Sequence, residues 1–186
     1  MRDSYTMLSK HPWKDVPKVW ATEKDYYNWL RSQTRRIWNR HPIKNQYKMQ
    51  NRHRANIGLN GREVWAYHCE MCGVETRNVE VDHKVAGGSF DSWDTFVEWS
   101  KRILFVTFED IRLLCKECHS IVTLSQRQGI TIEEARVRKE VITFSKLKVD
   151  KQKELLLTYT PPYNVTNQSK RNASYENLLK RGIKLT

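Results

Sequence analysis

Four cysteines stand in two Cys-x-x-Cys pairs, Cys69/Cys72 and Cys115/Cys118, with 42 residues between the pairs. Each pair presents two sulfurs from one tight turn, and four thiolates complete a tetrahedral zinc shell. A closed shell of this kind leaves no open position for chemistry, so its free energy, of order 10 kcal/mol in small domains, goes into folding. Between the pairs lies Asp82-His83, and His119 follows the last cysteine directly. Asp82 offers a hard oxygen suited to Mg2+ or Mn2+, and His119 an imidazole that accepts a wider range of divalent ions. His83, with an ordinary pKa of about 6.5, can take a proton from water at neutral pH. If zinc pins both turns, these groups can converge on a second site.

The elements that must position these groups follow from periodicity. Val64 to Tyr67 is a short apolar stretch leading into the first turn. Asn78 to Asp82 alternates, with Val79 and Val81 on one face and Glu80 and Asp82 on the other, the period of a half-buried strand ending at His83. A second strand is expected at Asp110 to Leu114, running into the second turn. Between them Gly87-Gly88 breaks the chain, and Asp91 or Ser92 caps a helix whose apolar side is Trp93, Phe96, Val97 and Ser100.

Flanking this middle, Thr22 caps a helix with Glu23 and Asp25 at the positive end of its dipole, and with Tyr26, Trp29, Leu30, Gln33 and Ile37 along one face. Pro42 stops that helix before His41. Residues 1–20 read as an irregular lead-in and residues 44–62 as a polar, basic stretch with a turn at Asn60-Gly61. Downstream, Thr131-x-x-Glu134 is a capping box opening a helix toward residue 149. Tyr175 to Arg181 is a short terminal helix stopped by Gly182. Trp29 and Trp93, lying on apolar helix faces, are expected in the core.

The 186 residues carry 33 Lys and Arg against 21 Asp and Glu, a net charge of +12. That charge is segregated. Residues 1–62 hold 14 basic and 4 acidic side chains, residues 63–120 hold 6 and 11, and residues 121–186 hold 13 and 6. An acidic, cysteine-bearing middle between basic arms suits a metal centre delivered to an acidic polymer. Arg31, Arg35, Arg36, Arg40, Lys44, Lys48, Arg52 and Arg54 recur along the first arm and are the expected phosphate contacts. No apolar run approaches the roughly 18 residues of a membrane span. The N-terminus has no secretory pattern, so the expected compartment is the reducing cytoplasm, where cysteines serve as ligands or thiols rather than disulfides. His68, directly before Cys69, either shields the zinc turn or is an ordinary exposed histidine; His11, His41 and His53 read as non-catalytic.

The run Cys69-Glu-Met-Cys72, Val81-Asp82-His83-Lys84 and Leu113-Leu114-Cys115-Lys-Glu-Cys118-His119 resembles the HNH endonucleases, above all the free-standing enzymes encoded by bacteriophages. The resemblance covers about residues 64–125, with looser similarity around Ser92 to Phe96 and Glu133 to Arg136. It implies an α+β chain: a small zinc-stabilised ββα-metal core over residues 63–128, with a basic helical extension over 1–62 and another over 129–186. It implies His83 as the general base, Asp82 and His119 as ligands of one catalytic Mg2+ or similar ion, and zinc on the four cysteines. Phosphodiester hydrolysis in double-stranded DNA would leave a 5′ phosphate and a 3′ hydroxyl, with nicking by a monomer or double-strand breaks by a homodimer. A homing role or an accessory role in phage genome packaging would fit such an enzyme. The chain departs from the family at Asp110, which stands where the family has Asn. An Asp there either supports the metal or His83 or simply begins a solvated strand. Val122 also replaces a basic residue common in the family. The rival class is a non-catalytic zinc-ribbon DNA-binding protein in which Asp82 and His83 are incidental.

Overall fold

The computed structural model describes residues 11–185, so residues 1–10 of the expected lead-in lie outside the described residues. The chain is α+β, mostly helical, with two small antiparallel sheets, and divides after Cys115 into two compact units. This division follows packing, whereas the three segments 1–62, 63–128 and 129–186 follow charge and motif.

The first unit opens with α1 (Pro12–Asp15), α2 (Glu23–Asn39) and α3 (Pro42–Asn51). Thr22 caps α2 as expected, in a reciprocal box with Asp25. Pro42 does stop the helix, but it also begins the next one, where its missing N–H costs nothing. The polar, basic stretch from residue 44 is helical to Asn51, with His41 Nδ1 accepting from the N–H of Ile43. The expected apolar face of α2 is rotated by about one residue. Tyr27, Thr34 and Trp38 are buried, while Trp29 and Ile37 are 43% and 56% exposed.

Next come β1 (His53–Ala55), β2 (Val64–His68) and β3 (Glu75–Thr76), a three-stranded antiparallel sheet with β2 in the centre. The β1–β2 connection turns at Asn60 and Gly61, with φ of 55° and 74°, so the Asn-Gly signal is used as such. Beyond them β4 (Val79–His83) pairs antiparallel with β5 (Ile111–Cys115), and α4 (Trp93–Leu104) lies between them in sequence. Ser92 caps α4 in a reciprocal box with Thr95. Here too the expected face is shifted: Trp99 is buried, and Trp93 is 55% exposed. The β4–β5 register pairs Val81 with Leu113 and His83 with Ile111. Opposed residues share a face of the sheet, so the core of Val79, Val81, Ile111, Leu113 and Trp38 forms against that face.

The second unit is α5 (Lys116–Gln128), α6 (Ile132–Ser145), α7 (Val149–Leu157) and α8 (Gln168–Lys180). The Thr131/Glu134 box opens α6 as expected. That helix stops at Ser145, and α7, which periodicity did not reveal, follows. The terminal helix begins earlier than expected, capped by Asn167, and ends before Gly182 at φ 78°. Phe144, Leu156, Val165, Tyr175 and Leu178 form this unit's core. Arg171 is buried with its Nε donating to Gln152 Oε1 at 2.8 Å and its Nη1 to the Val165 carbonyl at 3.2 Å. Among the described residues no helix is long and apolar enough to cross a membrane.

Leu156 is fully buried. Leu156→Ala is expected to cost about 2–5 kcal/mol through reduced burial and an uncollapsed cavity, measured by urea unfolding. The same change at exposed Leu157 is expected to cost under about 0.5 kcal/mol.

Candidate metal centre and active site

The first cysteine pair sits on the turn that leaves β2. The N–H of Cys69 bonds the Val74 carbonyl at 3.0 Å and that of Gly73 the Cys69 carbonyl at 2.8 Å, with Gly73 at φ 72°. The second pair is not a free turn. Cys115 is the last residue of β5 and Cys118 lies in the first turn of α5, so strand end and helix start set their spacing. The ligand atoms of Cys69, Cys72, Cys115 and Cys118 all lie within 4.8 Å of one another. The Sγ atoms of Cys72 and Cys115 are 3.9 Å apart. A tetrahedral ion with Zn–S of about 2.3 Å has edges of about 3.8 Å, so the four sulfurs fit zinc. A disulfide, at about 2.05 Å, is a different geometry.

Burial works to raise the Cys69 thiol pKa. Hydrogen bonds from the backbone at Cys115, Cys72 and Met71, and from the Cys72 side chain, outweigh it and hold the thiol down at about 6. Cys69 is thus prepared as a thiolate, the form a metal takes.

A residue that sequence reasoning passed over fixes this turn. Glu70 Oε1 accepts from the Leu113 N–H at 2.6 Å and from the Tyr47 hydroxyl at 3.0 Å, and the Glu70 N–H bonds the Leu113 carbonyl at 2.8 Å. The first Cys turn is thereby locked to β5 two residues before Cys115. Burial and the Glu70 carboxylate together push the Tyr47 hydroxyl up to about 12. Only pairing in three dimensions identifies Glu70, because Cys-Glu-Met-Cys carries no local signal for it.

His83 ends β4 half-buried, on the core side. Its ring packs on Trp38 at a centroid distance of 4.1 Å, and Nε2 lies 3.1 Å from the Ile103 carbonyl. A carbonyl only accepts, so Nε2 carries the proton in this bond and Nδ1 keeps its lone pair in the neutral ring. Burial lowers the His83 pKa. The Ile103 bond and Asp82 oppose that shift, Lys44 reinforces it and Asp110 opposes it. Lys44 sits 5.0 Å over the same Trp38 ring, with its own pKa lowered by burial.

Strand alternation sends Asp82 to the face opposite His83. There Asp82 Oδ2 accepts from Arg112 Nε at 3.2 Å and Nη2 at 3.1 Å, directly across the strand pair. Asp110 closes the short helical turn that leads into β5. Its Oδ2 accepts from the Thr107 N–H at 2.7 Å and hydroxyl at 2.8 Å, bonds that hold its pKa below the usual carboxylate range. The Asp110 carbonyl accepts from the Lys84 N–H at 2.8 Å, extending the ladder past His83. His119 lies in α5, half-buried, and its carbonyl accepts from the Thr123 hydroxyl at 2.8 Å. Val122 is buried in the same helix.

The basic arm divides by role. Arg31 donates to the Phe90 carbonyl at 3.2 Å and lies 4.8 Å over the Phe90 ring, so it serves the fold. Arg35, Arg36 and Arg40 are exposed, and Arg36 and Arg40 line an open groove of about 360 Å³. Lys48 is half-buried on α3. Arg52 and Arg54 stack on Trp65 at 4.1 and 4.2 Å. Trp65, Arg54, Arg62, Arg77 and Tyr67 line a second open groove of about 510 Å³. Arg62, Arg77 and Trp65 join this surface only through the sheet.

Comparison with protein-family models, with curated proteins and with solved structures finds no match to this chain.

If the four thiolates hold zinc, purified protein should carry it, and exhaustive treatment with a strong chelator should lower the melting temperature. Cys69→Ser should reproduce both effects without chelator. An unchanged melting temperature after complete metal removal would separate the cysteine cluster from folding.

Proposed function

We propose that this chain is a metal-dependent DNA endonuclease of the HNH type, with His83 as the general base. The observation that carries this reading is the state of His83: half-buried, its pKa lowered by that burial, and Nε2 tied to the Ile103 carbonyl so that Nδ1 is left to accept a proton. A base must be unprotonated at working pH, and the lowered pKa together with the Nε2 bond that leaves Nδ1 its lone pair supports that role. Three further features support it: an antiparallel strand pair leading directly into a helix, the thiolate cluster beside that pair, and grooves lined by arginines and Trp65.

In this reading Nδ1 of His83 takes a proton from water as the water oxygen forms a bond to phosphorus. The bond from phosphorus to the 3′ oxygen breaks, and the 3′ oxygen gains a proton from solvent. Asp82 and His119 are the proposed ligands of the catalytic divalent ion, which when bound supplies charge stabilisation at the phosphoryl and leaving oxygens. Arg112 fixes the Asp82 carboxylate, and Lys44, beside His83 on Trp38, adds positive charge near the phosphate. Arg36, Arg40, Arg52 and Arg54 hold the double-stranded backbone. The resemblance to phage-encoded enzymes extends the proposal to homing or to genome packaging, with single-strand nicks from a monomer and double-strand breaks from a homodimer.

A second reading, a zinc-bearing DNA-binding protein without catalysis, has its own support: Asp82 is engaged by Arg112 on the face away from His83, and Asp110 is engaged by Thr107.

Supercoiled plasmid separates the two. The nuclease reading expects nicking with Mg2+ or Mn2+, none with EDTA, and a drop of about 10²–10⁴-fold in rate for His83→Ala. Retardation of DNA without nicking under any divalent ion supports the second reading, and nicking undiminished by His83→Ala removes His83 from the reaction.

Binding should weaken steeply with salt. Arg36→Ala with Arg40→Ala should reduce the slope of log K against log salt by about 0.9 for each phosphate no longer neutralised, measured by fluorescence anisotropy.

A further inference from the structure

The three-stranded sheet carries a second cluster of metal-ligating side chains, separate from the cysteines. His68 on β2 is paired directly across from Glu75 on β3. His53 on β1 is paired with Ala66, two residues from His68, and so is its diagonal neighbour on the same face. Three strands thus each contribute one ligand to one patch of surface. His53 Nε2 lies 2.7 Å from Glu75 Oε1, and His68 Nε2 lies 3.9 Å from the same oxygen. The two imidazoles are stacked, with centroids 4.3 Å apart and planes 13° from parallel. One ligand atom from each of the three residues falls within 4.8 Å of the others.

We propose that His53, His68 and Glu75 bind a divalent ion of the imidazole-seeking class, Zn2+ foremost. Adjacent ligands on a tetrahedral ion of this kind, at about 2.0–2.1 Å from it, stand about 3.3 Å apart, and the two distances to Glu75 Oε1 bracket that spacing. Two neutral imidazoles and one carboxylate are a donor set suited to zinc, cobalt or nickel and poorly suited to Mg2+ or Ca2+. A proton between His53 and Glu75 satisfies those two groups only, whereas an ion at the centre of the three satisfies His68 as well. The two histidine side chains are about 30% and 63% exposed, so the ion can enter from solvent.

The mechanical consequence follows from strand length. β1 has three residues and β3 has two, well short of what an independent sheet needs. An ion held by one ligand from each strand ties both short outer strands to β2, whose opposite face presents Trp65 between Arg52 and Arg54. With three protein ligands, a fourth position is left for water. This site stands independently of the nuclease reading.

The test counts metals. The count is made in full-length His119→Ala protein, which removes a ligand of the ion proposed at Asp82: loaded with Zn2+ or Co2+ and desalted it should hold two equivalents, and adding His53→Ala or Glu75→Ala should leave one. In the cobalt form both variants should keep the near-ultraviolet thiolate-to-cobalt bands of the cysteine site, which also shows that they are folded. Without any variant, Zn2+ added to wild type already holding one equivalent should shift the ring nitrogen resonances of His53 and His68. One equivalent in the His119→Ala protein, a second equivalent retained there after His53→Ala or Glu75→Ala, or unmoved imidazole resonances would overturn the proposal.

Discussion

The structure around the cysteine cluster depends on one exchange of hydrogen bonds, between Glu70 and Leu113. Through it a turn on β2 is held to β5, 43 residues away in sequence, with Leu113 N–H to Glu70 Oε1 at 2.6 Å. Four thiolates within 4.8 Å of one another would repel, and a bound cation and the backbone N–H groups around Cys69 would offset that repulsion. The Glu70 latch does what neither can do. It sets the approach of the first pair to the strand that carries Cys115, where the Cys72 and Cys115 sulfurs stand 3.9 Å apart.

The same strand pair places His83. Because β4 alternates, the residue after Asp82 returns to the valine face and enters the core against Trp38. Burial there keeps the imidazole neutral, and the Ile103 carbonyl fixes which nitrogen is available. The alternation that favours His83 as a base also carries Asp82 away to Arg112. One register therefore supplies the strongest support for catalysis and the strongest support for its rival.

Charge segregation along the chain becomes a division of labour in the fold. Arg31 faces inward to Phe90, whereas Arg36 and Arg40 remain on an open groove of the same helix. Arg52 and Arg54 find an aromatic plane in Trp65, where a guanidinium stacks without losing its outward-facing donors. Arg62 and Arg77 line the groove that contains Trp65, although neither belongs to the basic run.

The sequence by itself determined what local signals can encode. It named the helix starts at Thr22 and Thr131, where a side chain reaches its own backbone three residues on, narrowed a third to Asp91 or Ser92, and marked the strand before His83, where period two is plain. It also picked out the four cysteines as one cluster that could hold a metal ion, because spacing limits what two Cys-x-x-Cys pairs can be. It misjudged which face of α2 and α4 is buried, since several aromatic stripes compete and only the opposing surface selects Tyr27, Trp38 and Trp99 over Trp29 and Trp93. It missed α3 and α7, short helices held by packing rather than by periodicity. Only the tertiary structure decided that Glu70 is the latch, that Asp82 pairs with Arg112, and that His53, His68 and Glu75 share one face. Each of these depends on strand register between distant segments, and register is a property of the paired strands that neither strand's sequence states alone.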